Sequence, residues 1–166
     1  MSQLAAAEAG IRQLHAHYAD AVFRKDFEAF ARCFAEDGEW RIAGSVLRGR
    51  DEIVSAAEGF LGKARRIFMT FRAPIIARDG KEKAHGRTYV SEQCCWLDGK
   101  TNLTLGRYYE HFVDTGERWL FSWRLYQVLY TGPDDLTGDW FDEPDFGPPP
   151  GMPSRDFLPP PPRRQL

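Results

Sequence analysis

Residues 101–130, TNLTLGRYYEHFVDTGERWLFSWRLYQVLY, constrain the fold more than any other stretch. Thr, Leu, Tyr, Phe, Val and Trp dominate it, and Asp114-Thr115-Gly116-Glu117 places a Gly among polar residues midway. That pattern predicts two long strands joined by a hairpin turn. Strand side chains alternate between faces. Arg107, Tyr109, His111 and Val113 therefore share one face, and Tyr108, Glu110 and Phe112 the other. In the partner strand Trp119, Phe121, Trp123 and Leu125 oppose Leu120, Ser122, Arg124 and Tyr126. Neither strand has a purely polar face, which a sheet with one side in water would have. Both faces of the hairpin are expected to be covered.

Upstream, Ile11, Leu14, His15, Tyr18, Ala21 and Val22 recur at three- and four-residue steps and predict a helix over residues 4–24 with one apolar stripe. Asp26 is placed to cap a short second helix carrying Phe27, Phe30 and Phe34. Glu36-Asp37-Gly38 reads as a turn, and Trp40 to Ala43 as the start of a strand. Asp51 is placed to cap a third helix running to about Gly62. From Ile67 onward, long strand-like runs are broken at Asp79-Gly80 and Asp98-Gly99, which predicts an antiparallel meander. Helices first and a meander after them is an α+β pattern.

The 166 residues suit one main domain. Ten of the eleven prolines lie at or after Pro133, so the chain divides into a domain over residues 1–130 and a Pro-rich extension over 131–166. The extension also carries Trp140, Phe141, Phe146, Met152, Phe157 and Leu158, which predicts that part of it packs on the domain or on a neighbouring subunit. A net charge of −2 and a pI near 6.1 argue against nucleic-acid binding, which needs a basic face. The N-terminus has no secretory pattern, and no run of about 18 apolar residues suggests a membrane span. Cys33, Cys94 and Cys95 lack zinc-site spacing and fit free thiols in a reducing cytoplasm. Aromatic residues make up 14%, enough for a large core or an aromatic-lined pocket.

The motifs also carry a resemblance. Leu14-xxx-Tyr18, Lys25-Asp26-Phe27, Phe34-Ala35-Glu36-Asp37-Gly38, Gly49-Arg50-Asp51-Glu52-Ile53, Ala84-His85-Gly86-Arg87, Gly106-Arg107-Tyr108 with Glu110, and Trp119 followed by Arg124 stand in an order that resembles SnoaL-like proteins of the nuclear transport factor 2-like superfamily. It covers roughly residues 8–130. The resemblance implies a cone-shaped, curved antiparallel sheet wrapped around a long N-terminal helix, enclosing an apolar pocket. It also implies cofactor-independent, metal-free proton transfer on a hydrophobic small molecule, aromatic or polycyclic, and a homodimer formed through the outer sheet face. Two positions depart from the dehydratase-like pattern. Phe23 stands where those members often carry a carboxylate, and Phe68-Met69-Thr70-Phe71 lacks their histidine. Fold alone does not fix function.

The candidates for chemistry follow. Tyr18 lies on the helix stripe with His15 one turn before it, and imidazole titrates near neutral pH. His85, on a strand of undetermined parity, is the other candidate base. Tyr18, His15 and His85 form the expected catalytic set, and Tyr108, Glu110, Arg124, Phe23, Trp40 and Phe71 the expected substrate-binding set. Arg124 beside Glu110 would keep that carboxylate ionised, which suits an orienting role. The resemblance turns the Tyr-x-acid pair and the final Arg inward. That puts Tyr108, Glu110, Phe112, Ser122, Arg124 and Tyr126 inside, with Tyr109, His111, Trp119, Phe121 and Trp123 outside. The two readings left open are a lyase or isomerase and a non-catalytic small-molecule-binding protein.

Overall fold

The computed structural model describes residues 2–141. Helix α1 (Gln3–Arg24) is capped by Ser2, whose side chain accepts from the Ala5 N–H, and it ends where Lys25 adopts a left-handed conformation. Its expected stripe is buried from Ala7 to Val22, with His15 and Tyr18 on it. Asp26 caps α2 (Phe27–Ala31) by accepting from the Ala29 N–H. Strand β1 (Phe34–Ile42) begins six residues before the expected start at Trp40. The supposed turn at Glu36-Asp37-Gly38 is instead a register shift inside that strand, so Phe34 is a strand residue and not the end of a helix. Ala43 and Gly44, both at positive φ, turn β1 into β2 (Ser45–Arg48). Helix α3 (Arg50–Gly62) starts two residues earlier than expected. Gly49 holds the cap position at φ 79°, and Asp51 sits in the first turn, where its charge suits the helix dipole.

Strands β3 (Ala64–Phe71), β4 (Ile75–Arg78), β5 (Lys83–Trp96), β6 (Thr101–Asp114), β7 (Trp119–Gly132) and the short β8 (Asp139–Trp140) complete one curved, unclosed sheet. The order is β2-β1-β7-β6-β5-β3, with β4 on β5 and β8 on β7. The meander is antiparallel as expected. The sheet becomes mixed where β1 joins β7 in parallel. Helix α1 packs on the inner face of the sheet, where Tyr18 meets Phe34 and Phe121 and His15 meets Phe112. Burying each of these aromatic side chains contributes roughly 2–3 kcal/mol. Among the described residues, no helix is long and apolar enough to cross a membrane.

The hairpin of β6 and β7 forms as expected, with Tyr108 opposite Tyr126 and Glu110 opposite Arg124. Its face assignment needs one correction. His111 pairs with Trp123, but Phe112 pairs with Phe121, so Ser122 is an inserted bulge residue. One extra residue reverses the parity of all that precedes it in the strand. Trp119 and Phe121 therefore point into the core, whereas Trp123 stays outside with Tyr109 and Leu125. Trp119 then packs so closely on α1 that a Cβ at Gly10 would lie 2.4 Å from its ring. The expected extension is described only to residue 141. Within that part, Trp140 lies 4.8 Å from the Tyr130 ring, and the remaining residues fall outside the described ones.

Candidate active site

Glu110 and Arg124 face each other across β6 and β7, both fully buried. The Arg124 Nε–H donates to Glu110 Oε1 at 3.0 Å, and its Nη2 lies 2.9 Å from the same oxygen. Thr88, on the neighbouring strand, donates its hydroxyl to Oε2 at 2.8 Å. The fourth partner comes from α1, where His15 Nε2 sits 2.9 and 3.1 Å from the two carboxylate oxygens. Burial by itself would push the Glu110 carboxyl up, but His15 and Arg124 outweigh it and hold the group below its ordinary range. An ionised carboxylate only accepts, so His15 donates from Nε2. The Arg124 guanidinium is enclosed by rings, with its carbon 3.7 Å from the Tyr108 centroid, 3.9 Å from Phe121 and 4.3 Å from Tyr18. This charged centre locks α1 to the sheet and fixes the position of two tyrosines.

Beside it lies an apolar cavity of about 150 Å³. Tyr18 and Val22 of α1, Trp40 of β1, Phe60 of α3, Glu92 of β5, Tyr108 of β6 and Tyr126 of β7 contribute to its wall. Glu92 is the group of chemical interest. It lies on the same side of β5 as Thr88, two alternations further on, and opposite Met69, which also lines the cavity. Burial pushes its carboxyl up to about 7, against the smaller opposing effects of the Tyr126 hydroxyl and the Arg124 charge. Burial likewise raises Tyr18 and carries Tyr108 and Tyr126 well above the usual phenol range. The three phenols therefore keep their protons at neutral pH and act as donors. Trp40 adds a buried indole N–H with no hydrogen-bond partner among the described residues.

The arrangement can move a proton. One carboxyl is balanced between its two forms near pH 7, and a second, Glu110, is held ionised. Environments that separate two carboxyl groups in this way divide acid–base work from charge positioning. Among the described residues no three His, Cys, Asp or Glu side chains cluster as a metal-binding group.

Of the residues singled out in the sequence, Tyr18, Trp40 and Tyr108 line the cavity. His15, Glu110 and Arg124 form the charged centre behind it. Phe71 stacks on His15 at 4.7 Å and lies 6.0 Å from both Tyr18 and Tyr108, supporting the centre without lining the cavity. Two residues are placed elsewhere. Phe23 is 42% exposed near the end of α1, edge-on to the still more exposed Phe68, and outside the cavity wall. His85 pairs with His111 on the outer face, because it is one residue out of phase with Ala84, Gly86 and Thr88. Its Nδ1 is 2.6 Å from Asp79, and it does not meet Tyr18 or His15. Glu92 was missed. Its signal was present in the alternation Thr88, Val90, Glu92, Cys94, but the parity of β5 follows only once Thr88 is set opposite Tyr108.

The family model for the SnoaL-like domain matches residues 3–124. No curated protein matches the chain in sequence. Among solved structures, a provisionally assigned scytalone dehydratase from Novosphingobium aromaticivorans superposes with a TM-score of 0.74 at 18% identity, covering 82% of this chain and 93% of that one. A hexachlorocyclohexane dehydrochlorinase from Novosphingobium barchaimii gives 0.71 at 17% identity, covering 86% and 98%. A Mycobacterium tuberculosis protein of unknown function gives 0.65 at 26% identity, covering 72% and 70%.

Proposed function

The chain belongs to the SnoaL-like domain family, and on that premise we propose that it is a cofactor-independent lyase or isomerase acting on a neutral, single-ring hydrophobic molecule. The observation that carries this reading is Glu92, a carboxyl pushed up to about 7 in an apolar cavity walled by protonated phenols. A base is most effective when its pKa lies near the working pH. The Glu92 carboxylate takes a proton from a substrate carbon. In lyase mode the electron pair of that C–H bond forms a double bond and expels a group from the adjacent carbon, with Tyr108 or Tyr126 donating a hydrogen bond to the departing oxygen or halide. In isomerase mode the pair shifts along the ring and Glu92 returns the proton to another carbon. Two neighbours of the same fold are described as a dehydratase and a dehydrochlorinase, names for reactions that remove a hydrogen and a leaving group.

Volume narrows the substrate. About 150 Å³ is the size of an engineered cavity that accepts benzene, which favours one ring over a polycyclic ligand. In this scheme Tyr18 donates to the substrate, and His15 acts through Glu110 on the position of Arg124. His85 has no part in the reaction. The test is deuterium exchange or elimination with a panel of single-ring carbon acids across pH 5–9. The rate should rise through about pH 7 and then level, and His85→Asn should stay within about twofold of wild type, worth less than ~0.5 kcal/mol of barrier. A flat profile would remove Glu92 as the base. Phe23 and the histidine-free stretch Phe68–Phe71 favour a second reading, a non-catalytic binding pocket. Saturable binding of the same compounds without exchange at any pH would establish it.

The same reading makes the protein a homodimer of a reducing, cytoplasmic compartment, joined through the outer sheet face where Trp123 packs on Tyr109 and Leu125. Sedimentation of the full chain at micromolar concentration should give twice the chain mass of 19.0 kDa, and Trp123→Arg should return it to one chain. A wild-type monomer would contradict this.

A further inference from the structure

We propose that the cleft between α1 and the edge strand β3 is a second binding site, for a small organic molecule that carries one carboxylate. The cleft has a volume of about 280 Å³ and is lined by Arg12, His15, Ala16 and Ala19 of α1 and residues 69–73 at and after β3. Its chemistry differs from that of the apolar cavity. Arg12 and Arg72 give it two cations, and among the described residues no acidic side chain lines it. Arg12 is held only loosely by Glu8, at 3.5 Å between exposed groups. Arg72 spends one donor on the Ser91 hydroxyl at 3.0 Å, and a guanidinium has five.

His15 closes the cleft from within. It is 2% exposed, and its Nε2–H is committed to Glu110. Its Nδ1 is buried with no hydrogen-bond partner among the described residues. Leaving such a group unsatisfied costs roughly 1–3 kcal/mol, which a hydrogen-bonding group of a ligand would recover. The remaining wall is apolar, made by Ala16, Ala19, Met69 and the Phe71 ring. Two cations at the solvent edge and an apolar wall fit a carboxylate attached to a hydrophobic body. They fit inorganic phosphate or a neutral ring less well. Met69 is the residue that lines both this cleft and the apolar cavity, and the route from His15 through Glu110 to Arg124 ends at Tyr18 and Tyr108.

The proposal goes beyond the proton-transfer reading and is tested separately from it. Calorimetric titration of the full chain with benzoate should give one saturable site. Inorganic phosphate should bind at least about tenfold more weakly, and benzamide, a neutral single ring suited to the apolar cavity, should not compete with benzoate for this site. Arg12→Ala combined with Arg72→Ala should weaken benzoate at least about tenfold, because two charge-assisted hydrogen bonds are lost. Both arginines are exposed, and thermal melting of the double variant should match wild type. Glu92→Gln should leave benzoate binding unchanged. Benzoate that fails to saturate, that binds the arginine double variant as well as wild type, or that loses its site in Glu92→Gln would overturn the assignment. Phosphate binding as tightly as benzoate would overturn it as well, since the apolar wall would then contribute nothing.

Discussion

Glu92→Gln is expected to slow proton transfer by about 10²–10⁴-fold and, at the same time, to make the protein more stable above neutral pH. The second effect follows from the first group's environment. Burial raises the Glu92 carboxyl from its ordinary 4.5 to about 7 in the folded protein. The folded state therefore keeps the proton to a higher pH than the unfolded chain does. Below about pH 4.5 both states are protonated and Glu92 costs nothing. Between 4.5 and 7 the unfolded chain binds fewer protons, so stability falls as pH rises, and above 7 the loss is constant. A difference of about 2.5 units at 1.36 kcal/mol each is about 3 kcal/mol. Gln has nearly the same shape and no charge, so the variant escapes this loss. Denaturant melts should give wild type and Glu92→Gln similar stability at pH 4.5 and separate them by up to about 3 kcal/mol at pH 8. A catalytic group that destabilises its own fold is a common trade-off. Equal stability at both pH values would show that Glu92 is solvated and not the poised base.

Arg124→Met should have the opposite sign. It leaves Glu110 buried with only His15 and Thr88, and it removes the cation enclosed by Tyr18, Tyr108 and Phe121. Breaking one side of a buried pair typically costs 3–5 kcal/mol, because the remaining charge has lost its compensation. The double variant Glu110→Leu with Arg124→Met should regain much of that loss, since an apolar pair of similar volume has no charge to compensate. Glu110 also sets the acid limb. Its folded-state pKa is held below the ordinary value, so its contribution is present above about pH 4.5 and disappears as pH falls through the folded value. Arg124→Met should lose part of this acid dependence. An Arg124→Met variant within about 1 kcal/mol of wild type would mean that the charged centre is not what fixes α1 to the sheet.

The sequence carried more of the fold than of the site, for identifiable physical reasons. Helical spacing in α1 and the Asp-Gly turns depend on neighbours in the chain, and they placed α1, the start of α2 and the meander correctly, whereas the Gly38 turn and the helical Phe34 gave way to β1. Inward Glu110 and Arg124 also followed from alternation once the resemblance set the parity of the hairpin. What alternation could not contain was the bulge at Ser122, which is a property of two strands together and moved Trp119 and Phe121 from outside to inside. The parity of β5 was hidden for the same reason. Setting Thr88 against Tyr108 turns His85 outward and Glu92 inward, exchanging a conspicuous histidine for a glutamate in an unremarkable Ser91-Glu92-Gln93 run. His15 was found as a side chain but not in its role, because its partner Glu110 lies 95 residues away.

The central claim is that one carboxyl in the apolar cavity is poised between its charged and neutral forms. The direct measurement is a pH titration of the glutamate side-chain carboxyl resonances in carbon-13-labelled protein, with the Glu92 signal assigned by its disappearance in Glu92→Gln. A midpoint near 7 is the expected result. A midpoint near 4.5, the value of an ordinary solvated glutamate, would contradict the claim and leave the cavity without a base.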